Sequence, residues 1–118
     1  MNIMIFTIKK LYSNFLNSLN GLKFALKEHS FLIEILGGFI LIPYLLIVDL
    51  NAIFKIIIFS IYFILLASEL LNTSIEKLAD KITKENDMDI KKIKDLSSAS
   101  VFVILILLII LLIISILI

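Results

Sequence analysis

The residues Glu69-Leu70-Leu71-Asn72-Thr73-Ser74-Ile75-Glu76-Lys77-Leu78-Ala79-Asp80 set three carboxylates against the end of a long apolar run. At about 100° per residue in a helix, Glu69, Asn72, Thr73, Glu76 and Asp80 share one face, and Leu70, Leu71, Ile75, Leu78 and Ile82 lie on the other. A charge at membrane depth costs about 2.5–3.5 kcal/mol on insertion scales, so acidic groups there need a partner, a cavity or a metal. Two carboxylates about two turns apart can divide labour: one takes a proton, the other holds a hard cation through oxygen. Mg2+ normally keeps several waters and is held by one or two carboxylates plus substrate phosphates, so such a site beside lysine suggests nucleotide phosphates. The residues alone equally allow a salt-bridged helix exit at the membrane surface with no chemistry.

The rest of the chain must position that face. Its 118 residues form one domain, 1–118. They are 61% hydrophobic with a mean hydropathy of +1.14, far more apolar than a soluble domain, which points to an integral membrane protein. A net charge of +1 offers no basic field for nucleic acid. The absence of cysteine removes disulfides, thiolate nucleophiles and zinc–sulfur sites. Gly21, Gly37 and Gly38 make no phosphate-cradling loop, which excludes a P-loop. The first 30 residues lack the apolar core and cleavage site of a signal peptide.

Four helical elements are expected. From about residue 5 to 28, Ile8, Leu11, Phe15, Leu19, Leu22 and Leu26 follow helical spacing opposite Lys10, Asn14, Asn17, Ser18 and Gly21, as suits an amphipathic helix in the membrane interface. If that helix runs on unbroken, Glu28 projects from its polar side. Phe31–Val48 is the first span, interrupted only by Glu34, with Gly37-Gly38 permitting close helix approach and Pro43 tolerable if neighbours satisfy the freed carbonyl. Asp49-Leu50-Asn51 makes a tight turn. The second span is 52–68, with Lys55 near enough to its start to snorkel, and its helix continues into the carboxylate face. Thr83–Lys94 reads as a charged loop or a break between helices. Asp95 and Ser97-Ser98-Ala99-Ser100 lead into Val101–Ile118, a third span without a charge. The expected fold class is therefore an all-α membrane protein, three transmembrane helices plus an N-terminal surface helix.

Lysine placement orients it. Lys9, Lys10, Lys23 and Lys27 precede the first span, six lysines lie between Lys77 and Lys94, and only Lys55 sits near the other connection. The positive-inside rule places the N-terminus and the 77–95 segment in the cytoplasm and the C-terminus outside. Glu28, Glu69, Glu76 and Asp95 then lie toward cytosolic nucleotides and metal ions.

The stretch Glu69-Leu70-Leu71-Asn72-Thr73-Ser74-Ile75-Glu76 followed by Asp80 resembles the signature of the small prokaryotic diacylglycerol kinases, a family that includes undecaprenol kinases. Lys94-Asp95 before a small-residue entry to the third span, Gly21-Leu22, and Glu28 with Phe31 and Glu34 reinforce the resemblance, which covers nearly the whole chain. It implies a homotrimer in the bacterial inner membrane, with a periplasmic C-terminus and active sites between subunits at the cytosolic boundary. It implies ATP- and Mg2+-dependent phosphorylation of the primary hydroxyl of diacylglycerol to phosphatidic acid. By match to the motif, Glu69 is the catalytic base and Asn72 orients the reacting groups. Glu28 and Glu76 hold the metal that bridges the nucleotide phosphates. Lys94, Asp95 and the group Glu85, Asn86 and Asp87 contact ATP, with Lys10 and Asn17 on the surface helix. Ser18, Glu34 and Ser98 fall near the lipid, which Glu69 also meets.

Some positions depart from the family pattern. Asn14 replaces a small residue, Asn17 replaces an aromatic one, and one residue is inserted or deleted between Gly21 and Glu28. Asn86-Asp87 stands where Tyr-His is common, and His29 reads as an interfacial polar side chain rather than a ligand. Glu34 stands where undecaprenol-type relatives carry histidine, which favours diacylglycerol. Glu34 within a span also invites comparison with small proton-coupled transporters, but three spans and a polar cluster at one interface fit these poorly. A non-catalytic scaffold subunit is the remaining alternative. Lipid phosphorylation separates all three.

Overall fold

Long apolar runs cannot leave backbone groups unpaired in lipid, so they fold as helices. A computed structural model describes residues 2–118 as four: α1 (Ile3–Ala25), α2 (His29–Ile47), α3 (Ala52–Ile82) and α4 (Met88–Leu117). The last three are each long and apolar enough to cross a membrane. Polar residues start three of the helices. Asn2, Asn51 and Asp87 each accept a backbone N–H of the first turn through the side-chain oxygen, and Asp87 accepts two.

Two boundaries differ from the sequence expectation, each for a local reason. α1 ends at Ala25 instead of running to 28. The backbone N–H groups of Lys27 and Glu28 bond tightly back to Phe24 and Ala25, and Glu28 turns extended as the residue preceding α2. Glu28 therefore belongs to the α1–α2 corner and not to the polar side of α1. The charged loop expected over 83–94 shrinks to Thr83–Asp87. The Asp87 cap starts α4 at Met88, and Lys91 pairs with Asp95 one turn later at 2.7 Å. α2 continues unbroken through Pro43.

α3 is the centre of the bundle. Its buried residues Ile58, Tyr62, Leu65, Glu69 and Asn72 follow the alternating four- and three-residue steps of a helix-packing seam, and Ala79 lies seven residues further on. α4 packs on it most extensively and α2 less so. On α2 the inward face runs Ser30, Glu34, Gly38, Leu41 and Leu45, with Gly38, Leu41 and Leu45 buried. Tyr44 and Ser115 share a 2.8 Å hydrogen bond that ties α2 to α4 near the far end. α1 enters the core through Ala25 and leaves Ile8, Leu11, Phe15, Leu19 and Leu22 exposed. The extents of 52 × 50 × 21 Å need a helix projecting across the bundle, because three packed helices are only about 30 Å wide.

Of the glycine pair, only Gly38 is held to its type. A Cβ there would collide with the Tyr62 hydroxyl, whereas one at Gly37 meets nothing. Tyr62 donates to the Glu34 carbonyl at 3.0 Å and is buried, so it cannot swing aside without losing that bond. Gly38→Ala is expected to destabilise the protein by about 1–3 kcal/mol, the usual cost of overpacking, and Gly37→Ala to leave it unchanged. Denaturant unfolding in micelles measures both, and equal stability of the two variants would contradict the packing described.

Candidate active site

One turn beyond Leu65 the seam of α3 changes character. The next inward positions are Glu69, 4% exposed, and Asn72, 7% exposed. A carboxylate buried this far needs a partner. Ser30, in the first turn of α2, donates its hydroxyl to Glu69 Oε1 at 2.7 Å. Asn72 Nδ2 reaches Glu76 Oε1 at 3.4 Å, the long end of the hydrogen-bonding range, and its buried Oδ1 has no partner among the described residues. Glu76 itself is exposed, so the face grades from sealed to open within two turns. Glu34 stands one turn along α2 from Ser30, and its buried Oε2 has no partner among the described residues.

Above this core lies a layer of ion pairs. Lys77 Nζ contacts Glu28 Oε1 at 2.6 Å, linking α3 to the α1–α2 corner. That hydrogen bond and the charge of Glu28 hold the Lys77 ammonium above its ordinary pKa. Lys94 Nζ meets Asp80 Oδ1 at 2.5 Å, and Lys91 pairs with Asp95. These are surface pairs, worth little individually. They organise charge at the mouth of the site more than they stabilise the fold.

The expected residues do not all converge. Glu69 lies against Ser30 at the α2–α3 contact, Asn72 and Glu76 follow it along α3, Glu34 is on α2, and Glu28 sits at the corner beside Lys77. Lys94 and Asp95 are on the first turns of α4, each already ion-paired. Asp87 spends its carboxylate on the α4 cap, and the Glu85 backbone N–H bonds the Thr83 hydroxyl. Asn86 lies in the same link. Lys10 and Asn17 are exposed on α1, and no hydrogen bond or ion pair among the described residues joins them to α3. Ser98 is exposed, whereas its neighbour Ser97 is buried with an unpaired hydroxyl. Ser30, Lys77 and Ser97 were absent from the sequence reading of the site. The available signal for Ser30 was its four-residue spacing from Glu34, which puts both on one helical face.

A groove of about 750 Å³ runs between α1 and α3, floored by Leu22, Phe24, Ala25 and Leu70 and rimmed by Glu28 and Lys77. Of the expected site residues, Ser18 and Glu28 line it. Glu69 faces another side of α3, where Ser30 of α2 meets it, and Asn72 is buried one turn further along.

The donor set suits a hard cation. Glu28 already attracts an ammonium, Glu76 is exposed, and Asn72 Oδ1 is an orphaned oxygen next to it. No group of three or more acidic or histidine side chains among the described residues could hold a metal by itself. One or two carboxylates with phosphate oxygens completing the shell is the arrangement Mg2+ favours.

A family model described as prokaryotic diacylglycerol kinase matches residues 16–116, a range that contains the carboxylate face, the α1–α2 corner, α2, α3 and all but the last residue of α4. The chain belongs to the prokaryotic diacylglycerol kinase family. A member of known name, the diacylglycerol kinase of Haemophilus influenzae, is 38% identical over 87 residues, covering 73% of this chain and 74% of that protein. Membership agrees with the three membrane-length helices.

Proposed function

We propose that this chain transfers the γ-phosphoryl group of Mg-ATP to the primary hydroxyl of diacylglycerol, giving phosphatidic acid at the membrane–cytosol boundary. The observation that carries the reading is the buried carboxylate of Glu69 at the end of the apolar stretch of α3, held by one donor and followed by Asn72 and Glu76. Family membership and the Haemophilus influenzae relative support the reaction class.

A lipid anchored by its acyl chains presents its hydroxyl at headgroup depth, where Glu69 sits. Glu69 accepts the hydroxyl proton as the oxygen attacks the γ-phosphorus and the bond to the departing ADP breaks, and Asn72 orients the reacting groups from the next inward position. Glu28 and Glu76 would hold Mg2+, which supplies charge neutralisation on the nucleotide phosphates when bound. Phosphoryl transfer asks for in-line positioning and charge compensation more than covalent chemistry, so few protein groups suffice. Lys94, Asp95, Glu85, Asn86 and Asp87 border the nucleotide on this reading, and Lys10 and Asn17 approach it from α1. The groove beside Ser18 and Glu28 offers an apolar trough for an acyl chain, and Glu34 and Ser98 lie toward the lipid.

The same reading makes the protein a homotrimer in the bacterial inner membrane, N-terminus and 77–95 cytoplasmic, C-terminus periplasmic. Apolar side chains left uncovered along α4, including Phe102, Val103 and Ile106, support lateral contact with other copies or lipid. Purified protein in mixed micelles with radiolabelled ATP tests the reaction. Diacylglycerol is expected to be phosphorylated at least several-fold faster than undecaprenol, with no incorporation when Mg2+ is chelated. Preference for undecaprenol would reassign the substrate, and labelling of neither lipid would overturn the kinase reading.

A further inference from the structure

We infer that Ser30 is a positioning residue for the phosphoryl transfer, tying down one oxygen of the Glu69 carboxylate so that the other faces the substrate hydroxyl. This rests on the assignment of Glu69 as base.

The 2.7 Å bond from Ser30 Oγ to Glu69 Oε1 has the length of a charge-assisted O–H···O⁻ contact. Among the described residues it is the one hydrogen bond that Glu69 receives. Glu69 Oε2 has no recorded partner, yet it is not among the fully sealed unpaired atoms, which are Glu34 Oε2, Asn72 Oδ1 and Ser97 Oγ. The carboxylate thus has a tethered oxygen and a free one that keeps some access from outside. A base needs that asymmetry. Untethered, the side chain can rotate about its broad terminal torsion and holds no fixed direction.

The tether itself is held in place. Ser30 is the second residue of α2, so its backbone is set by the first helical turn. Further along the same face, Tyr62 bonds the Glu34 carbonyl and packs on Gly38, which locks the register of α2 against α3. A one-residue slip would carry Ser30 about 100° around the helix and break the contact. Ser30 is otherwise exposed, so its hydroxyl is not required to fill core volume.

Ser30→Ala tests this, since alanine is at least as good a helix former there. The expected result is a fall in kcat of about tenfold at saturating ATP and lipid, equivalent to about 1.4 kcal/mol in the barrier. KM for both substrates should stay within about twofold, and the thermal midpoint should fall only modestly, since the buried carboxylate loses its donor. Ser30→Thr retains the hydroxyl and has room for its methyl group, so it should recover kcat to within about threefold of the parent. Wild-type kcat in Ser30→Ala would overturn the inference, as would equal loss in Ala and Thr variants or a loss confined to KM. Glu69→Gln assayed alongside separates the two levels. An inactive Glu69→Gln with a fully active Ser30→Ala removes only the role of Ser30, whereas an active Glu69→Gln removes the base and the tether together.

Discussion

Glu69→Gln is expected to lower kcat for lipid phosphorylation by about 10³-fold, within the usual span for loss of a general base. The amide is nearly isosteric and its carbonyl oxygen can still accept the Ser30 hydroxyl, so the α2–α3 contact survives. What disappears is the capacity to take a proton from the attacking hydroxyl. Folding should be preserved or slightly improved, because a buried carboxylate is replaced by a neutral group. Helix content by circular dichroism and the elution volume in detergent should match the parent. The informative combination is therefore a dead enzyme with an intact assembly. A purified Glu69→Gln protein with normal turnover would remove Glu69 from the chemistry.

The second large effect concerns Mg2+. Glu76→Gln is expected to raise the Mg2+ concentration for half-maximal activity by about 10–100-fold, with much of kcat restored at saturating metal. Glu76 is exposed and its one recorded contact is the long bond from Asn72, so the substitution should not disturb the fold. Glu28→Gln should behave similarly, with one difference. It also releases Lys77 from its 2.6 Å partner and leaves a loose cation at the corner of the site. Because that pair is solvent-exposed, the fold should lose little stability. Unchanged metal titrations in both variants would count against the two-carboxylate arrangement, whatever the fate of Glu69.

Boundaries marked the limits of sequence reading. The spans at 31–48 and 52–68 lie close to α2 and the lower part of α3, because sustained hydropathy can be read along the chain without knowing the fold. The corner at Leu26–Glu28 could not be read that way. No proline stands there, and the last glycine before it, Gly21, is mid-helix; only the tight backbone bonds to Phe24 and Ala25 reveal the break. The start of α4 was misplaced for the opposite reason. A run as charged as Asn86–Lys94 looks like a loop, yet the Asp87 cap and the Lys91–Asp95 pair make it helical. The site shows the same division. Glu69, Asn72 and Glu76 stood out as polar residues at helical spacing, whereas Ser30 is an ordinary small polar residue until α2 is packed on α3.

By itself the sequence determined that there are three membrane-length helices, that one of them carries a polar face past its apolar end, and that this face has the composition for proton and cation chemistry. Hydropathy and helical periodicity are properties of a single strand of residues, and the bilayer leaves them little freedom in how they fold. The tertiary structure alone decided which way the face points and what meets it. Antiparallel packing turned the Glu69–Asn72 seam inward and brought Ser30 to a carboxylate 39 residues away, and the corner before α2 set Glu28 against Lys77. Those pairings depend on the register in which helices interlock, which residue spacing along any one helix does not contain.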